Sequence, residues 1–473
     1  MGVSKAAFLP VLIVSTLIAA GCSLAPDYVR PAAPVPGTLG SPGEPGARLP
    51  PWEEFFPEPR LRALLGIALG NNRDLRLAAL RVLEARAGFG LARAGRLPMV
   101  EGEVGWERSG GPRRMTEESY EAALALPAFE IDYLNRLGDL SRAALETYLG
   151  TAEAGRYARI TLMSGVAGAY LESRLAAERV GLTRRNLQSF RASRAFVEER
   201  LRSGQADLLE LEQARGLVAF AEAELEARKA ELVLAENALA FWVGDFGGPE
   251  LPGATALLKW PELRLPEGVP SETLLARPDI REAEHALRAA NANVGAARAA
   301  FFPSISLTGS LGAMGADFSS LVGAGGGLWS FGPRITIPIF NAGRNRANLD
   351  LAEVRKDIAV ATYEKAIQSA FREVADAMGQ KASLTRRLKA QANYLAIQRR
   401  VLELANNRYQ NGTIGYLDVL EAQRSVLEAE LSLVAIQKER IANDVALFAY
   451  LGGGFPADPP ETAGPRPAPI LAE

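Results

Sequence analysis

The sequence predicts an α+β membrane protein of two structural repeats, each joining two amphipathic strands to long coiled-coil helices. Three observations carry that expectation. After Pro303, the residues Ser304, Ser306, Thr308 and Ser310 are small and polar, while Ile305, Leu307 and Leu311 between them are apolar. Successive strand side chains point to opposite faces, so this run has one greasy face and one hydroxyl-bearing face, the pattern of a spanning strand around a wet lumen. The alternation returns at Arg334-Ile335-Thr336-Ile337 after a Gly-rich connection. Taken alone, the stretch fits an edge hairpin of a soluble sheet equally well. Second, no Pro interrupts residues 138–201 or 342–409. At ~1.5 Å per residue, 60-odd residues reach roughly 90–100 Å as one helix, a length that signals a coiled coil. Third, the chain matches itself at a nearly constant offset, the mark of an internal repeat.

Composition narrows the function classes. The 473 residues carry 53 Lys plus Arg against 55 Asp plus Glu, a net charge of −2 that offers no field for nucleic acid. One Cys excludes an internal disulfide and one His, His285, excludes a His-based metal centre. His285 lies in a charged helical run and is expected at the surface. No nucleophile and base pair can be assembled around it, so no catalytic residue, cofactor or metal is expected.

The chain opens with Lys5, an apolar run from Ala6 to Ala20, then Gly21 and Cys22. A basic start, a short apolar core and small residues before a cut site describe an export signal. The sole cysteine at that point resembles a bacterial lipoprotein signal, with Cys22 as the lipidated first residue of the mature chain. Ala19 stands where such signals usually carry Leu. Residues 1–21 are thus expected to be removed. Residues 22–59, rich in Pro, Gly and Ala, read as a lipid-anchored extended tether. Beyond the signal no apolar run approaches the ~20 residues of a spanning helix, so any membrane crossing falls to strands.

The repeats are placed at 60–245 and 271–453, with a linker at 246–270 and a Pro-rich tail at 454–473. Asp74 through Pro98 aligns with Asp279 through Pro303, Asn135 and Tyr157 with Asn341 and Tyr363, and Arg200, Gly204 and Leu209 with Arg408, Gly412 and Leu417. Candidate strands lie near 98–108, 120–131, 303–313 and 328–340. In the first, Val100, Val104 and Trp106 share a face opposite Glu101, Glu103 and Glu107; in the second, Ala122, Leu124 and Leu126 share a face. A loop is expected at 109–118. Trp106, Tyr120 and Trp329 are candidates for interfacial aromatic girdles.

Heptad seams mark the helices. Leu211, Val218, Leu225, Leu232 and Leu239 fall every seventh residue, and Leu417, Leu420, Leu427, Leu431 and Val434 follow steps of three and four. Leu388, Leu395, Leu402 and Tyr409 form another seam. Tyr394, Ile397, Val401 and Leu404 give the same helix a second stripe, as in a ring of helices. Each long helix ends at a Gly, Gly204 or Gly412, the usual left-handed terminator. Asp207 and Thr413 are expected to cap the returning helices.

Four strands cannot close a barrel, since an open sheet in lipid leaves unpaired edge groups at several kcal/mol each. Closed barrels begin near eight strands, so other copies must complete the sheet. The strand count leaves two or three copies open.

The FFPSISLTGSLG run, the ITIPIFNAG strand end, the NGTIGYLDVLEAQRSVLEAEL hairpin and the CSLAPDYVRPAAPVPG start resemble the TolC-like outer-membrane factors, in particular the NodT- and OprM-type efflux lipoproteins. The resemblance spans nearly the whole chain. It implies a homotrimer whose twelve-stranded barrel crosses the outer membrane and continues as an α-helical barrel through the periplasm. It also implies a passive exit duct for drugs or small solutes, fed by an inner-membrane pump, of RND type, through a periplasmic membrane-fusion adaptor. Carried over by motif, Asp418 and Glu421 fall where the family places the carboxylates of its constriction, and Tyr409 matches an aromatic near the closed aperture. In the first repeat Asp207, Glu210 and Glu212 are the acidic residues just past the turn, which in a trimer would ring the same end of the helical tube. Gly204, Gln205, Gly412 and Thr413 fall on the adaptor-docking turns. Ile414 stands where some relatives carry a latch Arg. A duct for metal cations or for type I protein secretion fits the same fold. A lipid-anchored periplasmic scaffold would explain the heptads and Cys22, but not the four alternating segments.

Overall fold

The computed structural model describes residues 23–36, 38–39, 50–111, 114–247, 251–260, 269–270, 274–316, 318 and 327–453. Cys22, the signal segment 1–21 and the tail 454–473 lie outside the described residues. Along the chain run α1 (Pro59–Asn71), α2 (Arg73–Ala94), β1 (Glu101–Gly111), β2 (Arg114–Glu130), α3 (Arg136–Arg202), α4 (Leu208–Val243), α5 (Pro278–Ala299), β3 (Ser304–Gly315), β4 (Gly327–Thr336), α6 (Arg344–Gln410) and α7 (Tyr416–Tyr450). No described helix is long and apolar enough to cross a membrane.

Element lengths repeat. Helices α2 and α5 have 22 residues each, and α3 and α6 have 67 each. Their bounds also correct the internal alignment. The offset from α3 to α6 is 208 at both ends (344 − 136 and 410 − 202), and an unbroken helix leaves no room for a two-residue insertion. Asn135 and Tyr157 therefore correspond to Gly343 and Lys365, not to Asn341 and Tyr363. Asn135 and Gly343 both take a left-handed φ, 54° and 84°, one residue before their helices. Between α2 and α5 the offset is 205 (278 − 73), the same as in the sequence match.

Contacts divide the chain into two units: residues 1–33, 79–154 and 279–366, and residues 34–78, 155–278 and 367–473. The first holds a four-stranded antiparallel sheet in the order β1-β2-β3-β4. Over most of its length the register separates an apolar face from a polar one. Trp106 lies opposite Tyr120, Val104 opposite Ala122, Leu124 opposite Leu311, and Leu311 opposite Trp329. On the reverse face Glu103 lies opposite Ala123, Ser306 opposite Arg334, and Ser310 opposite Ser330.

Strand ends differ from expectation for identifiable reasons. The supposed loop at 109–118 is largely strand, because β1 runs to Gly111 and β2 begins at Arg114. Its charges belong to the ladder, where Arg108 pairs with Glu118 at 3.5 Å. The register of β2 slips between Leu126 and Phe129, around Pro127, which has no N–H to give the ladder. β4 stops at Thr336, two residues before Pro338, which carries the same handicap.

In the second unit, Phe55 stacks on Phe448 with ring centroids 4.0 Å apart. Glu58 accepts from the Leu61 amide at 2.5 Å to cap α1, and also receives the Tyr170 hydroxyl at 3.1 Å. Leu211, Val218 and Leu225 are buried along one seam of α4, as their spacing predicts. Leu417 is exposed instead of seated, because α7 starts at Tyr416 and turns Tyr416, Val419 and Leu420 inward. Tyr394, Ile397, Val401 and Leu404 stay exposed in the single chain.

Candidate functional site

The pore-lining candidates Ser304, Ser306, Thr308 and Ser310 occupy alternate positions of β3 and so share one face. The Ser310 and Ser330 hydroxyls lie 2.7 Å apart, and Thr308 donates to the Gly332 carbonyl at 3.0 Å. These bonds let small hydroxyls satisfy one another or the ladder. Across the sheet, Glu101, Glu103, Glu107 and Glu121 extend the same polar face. The opposite face is apolar and open: Val104 is 83% and Trp329 77% exposed. A contiguous greasy sheet face of this kind marks a surface meant for lipid or a partner.

The two candidate gate turns close in one geometry. The Gly204 amide donates to the Leu201 carbonyl at 3.0 Å and Gln205 to Arg200 at 2.8 Å; Gly412 donates to Tyr409 at 3.0 Å and Thr413 to Arg408 at 3.0 Å. These are paired end-of-helix bonds around a left-handed glycine, at φ 71° and 70°. Asp207 accepts from the Glu210 amide at 2.8 Å and caps α4 as expected. Thr413 does not cap α7. It sits three residues before that helix, and its hydroxyl reaches back to the Arg408 carbonyl at 2.9 Å.

Tyr409 ties the two turns together. It is buried, and its hydroxyl donates to Glu210 at 2.9 Å. The Arg200 guanidinium lies 4.6 Å over its ring and donates to its carbonyl at 2.8 Å. Burial, then the hydrogen bond and charge of Glu210, push the Tyr409 phenol well above its usual value, so it stays a donor. Tyr416 packs beside it and bonds Ser193 at 2.8 Å. The sequence did not single out Arg200 or Ser193 for this cluster, since their partners lie about two hundred residues away. Asp418 and Glu421 are exposed, three positions apart on α7, on the side away from buried Tyr416, Leu420 and Gln423. That spacing puts both on one face.

A second polar cluster was not foreseen. Residues 23–30, expected as a free tether, lie seated against the first unit. Ser23 donates to both Asp139 carboxylate oxygens at 2.9 Å, and Asn135 adds a third bond at 3.0 Å. Asn291 donates to the Pro26 carbonyl at 2.7 Å, and Tyr28 and Arg30 both reach Glu284 at 3.1 Å. Gly295 makes the seat possible, because a Cβ there would stand 2.4 Å from Asp139 and 2.6 Å from the Ala25 amide. His285, expected at the surface, is half-buried with Nδ1 2.7 Å from Glu146. The charged run that suggested exposure straddles the packed face of α5, with Glu284 buried and Glu282 exposed. No cluster of metal-binding side chains occurs among the described residues.

A sheet wet on one face and greasy on the other, with open edges and long paired helices, defines a class: membrane channels assembled from several chains. Residues 64–245 and 269–453 match the family described as "Outer membrane efflux protein", and the chain belongs to that family. The cation efflux system protein CusC of Escherichia coli K12 is 44% identical over 443 residues, covering 92% of this chain and 96% of its own. The toluene efflux pump outer membrane protein TtgI of Pseudomonas putida is 41% identical, covering 93% of this chain and 97% of its own. The crystal structure of the open state of the MtrE outer membrane channel of Neisseria gonorrhoeae superimposes with a TM-score of 0.85 at 35% identity, over 92% of this chain and 98% of that one. The protein is therefore an outer-membrane component of an efflux system.

Proposed function

We propose that three copies join edge to edge, β4 of one to β1 of the next, into a twelve-stranded barrel that serves as a passive exit duct without catalytic chemistry of its own. An inner-membrane pump of RND type would fill it through a periplasmic adaptor, with the lipid-anchored Cys22 holding each copy to the outer membrane. The observation that carries this is the sheet itself, with two unpaired edges and an uncovered apolar face behind a hydroxyl- and carboxylate-bearing one. In hydrocarbon such edges cost several kcal/mol per group unless paired, and only closure removes them.

The polar face would line the lumen. Asp418 and Glu421 would ring the constriction with Tyr409, Glu210 and Asp207 behind them, and the turns at Gly204–Gln205 and Gly412–Thr413 would receive the adaptor. The likeness to CusC favours cation cargo as a second reading, under which Glu101, Glu103 and Glu107 would face the traffic.

Purified protein in planar bilayers should conduct ions, and removal of residues 304–339 should abolish conductance; unaltered conductance would refute the duct. Replacing Asp418 and Glu421 together by Ala should raise conductance or lower cation preference, because a ring of carboxylates attracts cations. Unchanged selectivity in single-channel records would remove them from the constriction.

A further inference from the structure

The helices α3 and α6 leave the sheet with 67 residues each, but their first turns are not completed alike. α3 opens with Arg136, whose Nε and Nη2 donate to the Glu130 carboxylate at 2.8 and 2.6 Å. Asp132 accepts from the next two amides, Leu137 at 3.0 Å and Gly138 at 2.8 Å. Two carboxylates of the chain itself thus answer the guanidinium and the free N–H groups that a helix start presents. The helical register is common to both repeats. The Asp139 amide donates to the Asn135 carbonyl at 2.7 Å, and 208 positions later the Ala347 amide donates to Gly343 at 3.0 Å.

α6 keeps the donors and lacks both acceptors. Arg344 stands in the place of Arg136. The connection before it is longer, residues 337–343 against 131–135, and no Asp or Glu occurs from Phe331 to Leu349. However the longer connection is aligned, Glu130 and Asp132 therefore have no acidic counterpart. Among the described residues, the Arg344 guanidinium and the Asn345 and Arg346 amides make no hydrogen bond or ion pair. Asn345 is buried, and its side chain donates to the Ala300 carbonyl at 2.6 Å, which fixes this first turn against the end of α5.

These donors border a cavity of about 310 Å³ at the foot of the sheet, lined by Glu130, Asp132 and Arg136 on one side and by Thr336, Arg344 and Asn345 on the other. Its acidic groups are already engaged, Glu130 with Arg136 and Asp132 with the α3 amides. The charge left without a partner is that of Arg344. A guanidinium beside open helix amides is the arrangement that holds a tetrahedral oxyanion. In the first repeat the same arrangement does hold anions, and they are the chain's own.

We propose that this cavity binds a phosphate group, held by Arg344 and the open amides at the start of α6 in place of the carboxylates that the first repeat supplies for itself. The group is carried by a phospholipid headgroup or is free phosphate. Depth favours the headgroup. Ser23 is bonded to Asp139 in the first turn of α3, so a lipid on Cys22 would enter the membrane at the level of this cavity.

Inorganic phosphate titrated into the full-length protein in mild detergent, followed by phosphorus NMR linewidth, should saturate. Arg344→Gln should weaken binding by at least about tenfold, the loss of a hydrogen bond to a charged group. Phe340→Asp, which offers α6 a carboxylate of its own, should abolish binding with Arg344 still present. Arg108→Gln, which removes a guanidinium paired with Glu118 on the sheet, should bind as wild type does. Variants that remain heat-modifiable oligomers establish that folding is intact. Native mass spectra with phosphatidylglycerol, and with a diacylglycerol lacking phosphate, separate the sources. Retention of the phospholipid alone, lost in Arg344→Gln, assigns the site to a headgroup; phosphate saturation without lipid retention assigns it to the free anion. Binding by neither measurement, or equal binding by wild type, Arg344→Gln and Phe340→Asp, would overturn the site.

Discussion

Ser23 gives its hydroxyl to Asp139, a carboxylate shut away from water, and a few residues on Arg30 reaches Glu284, which is also buried. Burial pushes the Asp139 carboxyl above the usual range, and the bonds from Ser23 and Asn135 and the charge of Arg142 only partly draw it back. A raised native value means this group's stabilisation is complete at low pH and is lost as pH rises through that value. Burial opposes ionisation of Glu284 as well, but the Arg30 hydrogen bond and the Arg288 charge outweigh it, and its value falls. Its contribution is present at neutral pH and disappears as pH drops through the lowered value. Hydrogen exchange at Ala25 and Tyr28 should therefore show the strap loosened by Glu284→Gln at pH 7. Asp139→Asn should tighten it there and flatten its dependence above the carboxylate range. The reverse order of the two variants at pH 7 would refute the assignment.

Among the elements, β3 allows the sharpest contrast, since neighbouring residues face opposite surroundings. Leu311 sits between Leu124 and Trp329 on the apolar face, and Ser310 beside Ser330 on the polar one. An Arg on a lipid face near the bilayer midplane costs about 2–4 kcal/mol, and on a lumen face far less. Leu311→Arg should thus sharply reduce folded protein on refolding into vesicles, while Ser310→Arg should fold nearly as well as wild type. Equal yields would remove the facial assignment. This alternation was plain in the sequence because small hydroxyl and aliphatic residues follow each other without a break. The length of β2 was not. Its polar start read as a loop, and the register shift around Pro127 carried no sign in the alternation. The long helices were legible from the absence of Pro, yet their correspondence was set two residues wrong at Asn135 and Tyr157. Sparse identities do not fix register; an unbroken helix does.

At the level of the whole molecule, repeat and seam could be read in advance, but long-range polar contacts could not. Nothing in a Pro- and Ala-rich start announces that Ser23 meets Asp139, or that Arg200 covers Tyr409. Apolar contacts between copies, unlike exposed ion pairs, are not screened by salt. The protein in mild detergent should therefore remain a single oligomeric species on light scattering as salt is raised to about molar concentration, well past the point at which surface pairs are screened. Dissociation on adding salt would contradict that. His285 on α5 and Glu146 on α3 lie 2.7 Å apart, and their counterparts in the other repeats are Leu80 on α2 and Val354 on α6. A neighbour arriving half a chain out of phase would set His285 against Val354 and Leu80 against Glu146, stranding a carboxylate against a hydrocarbon wall. Two halves of like fold invite such misphasing, and the mismatch in polarity forbids it.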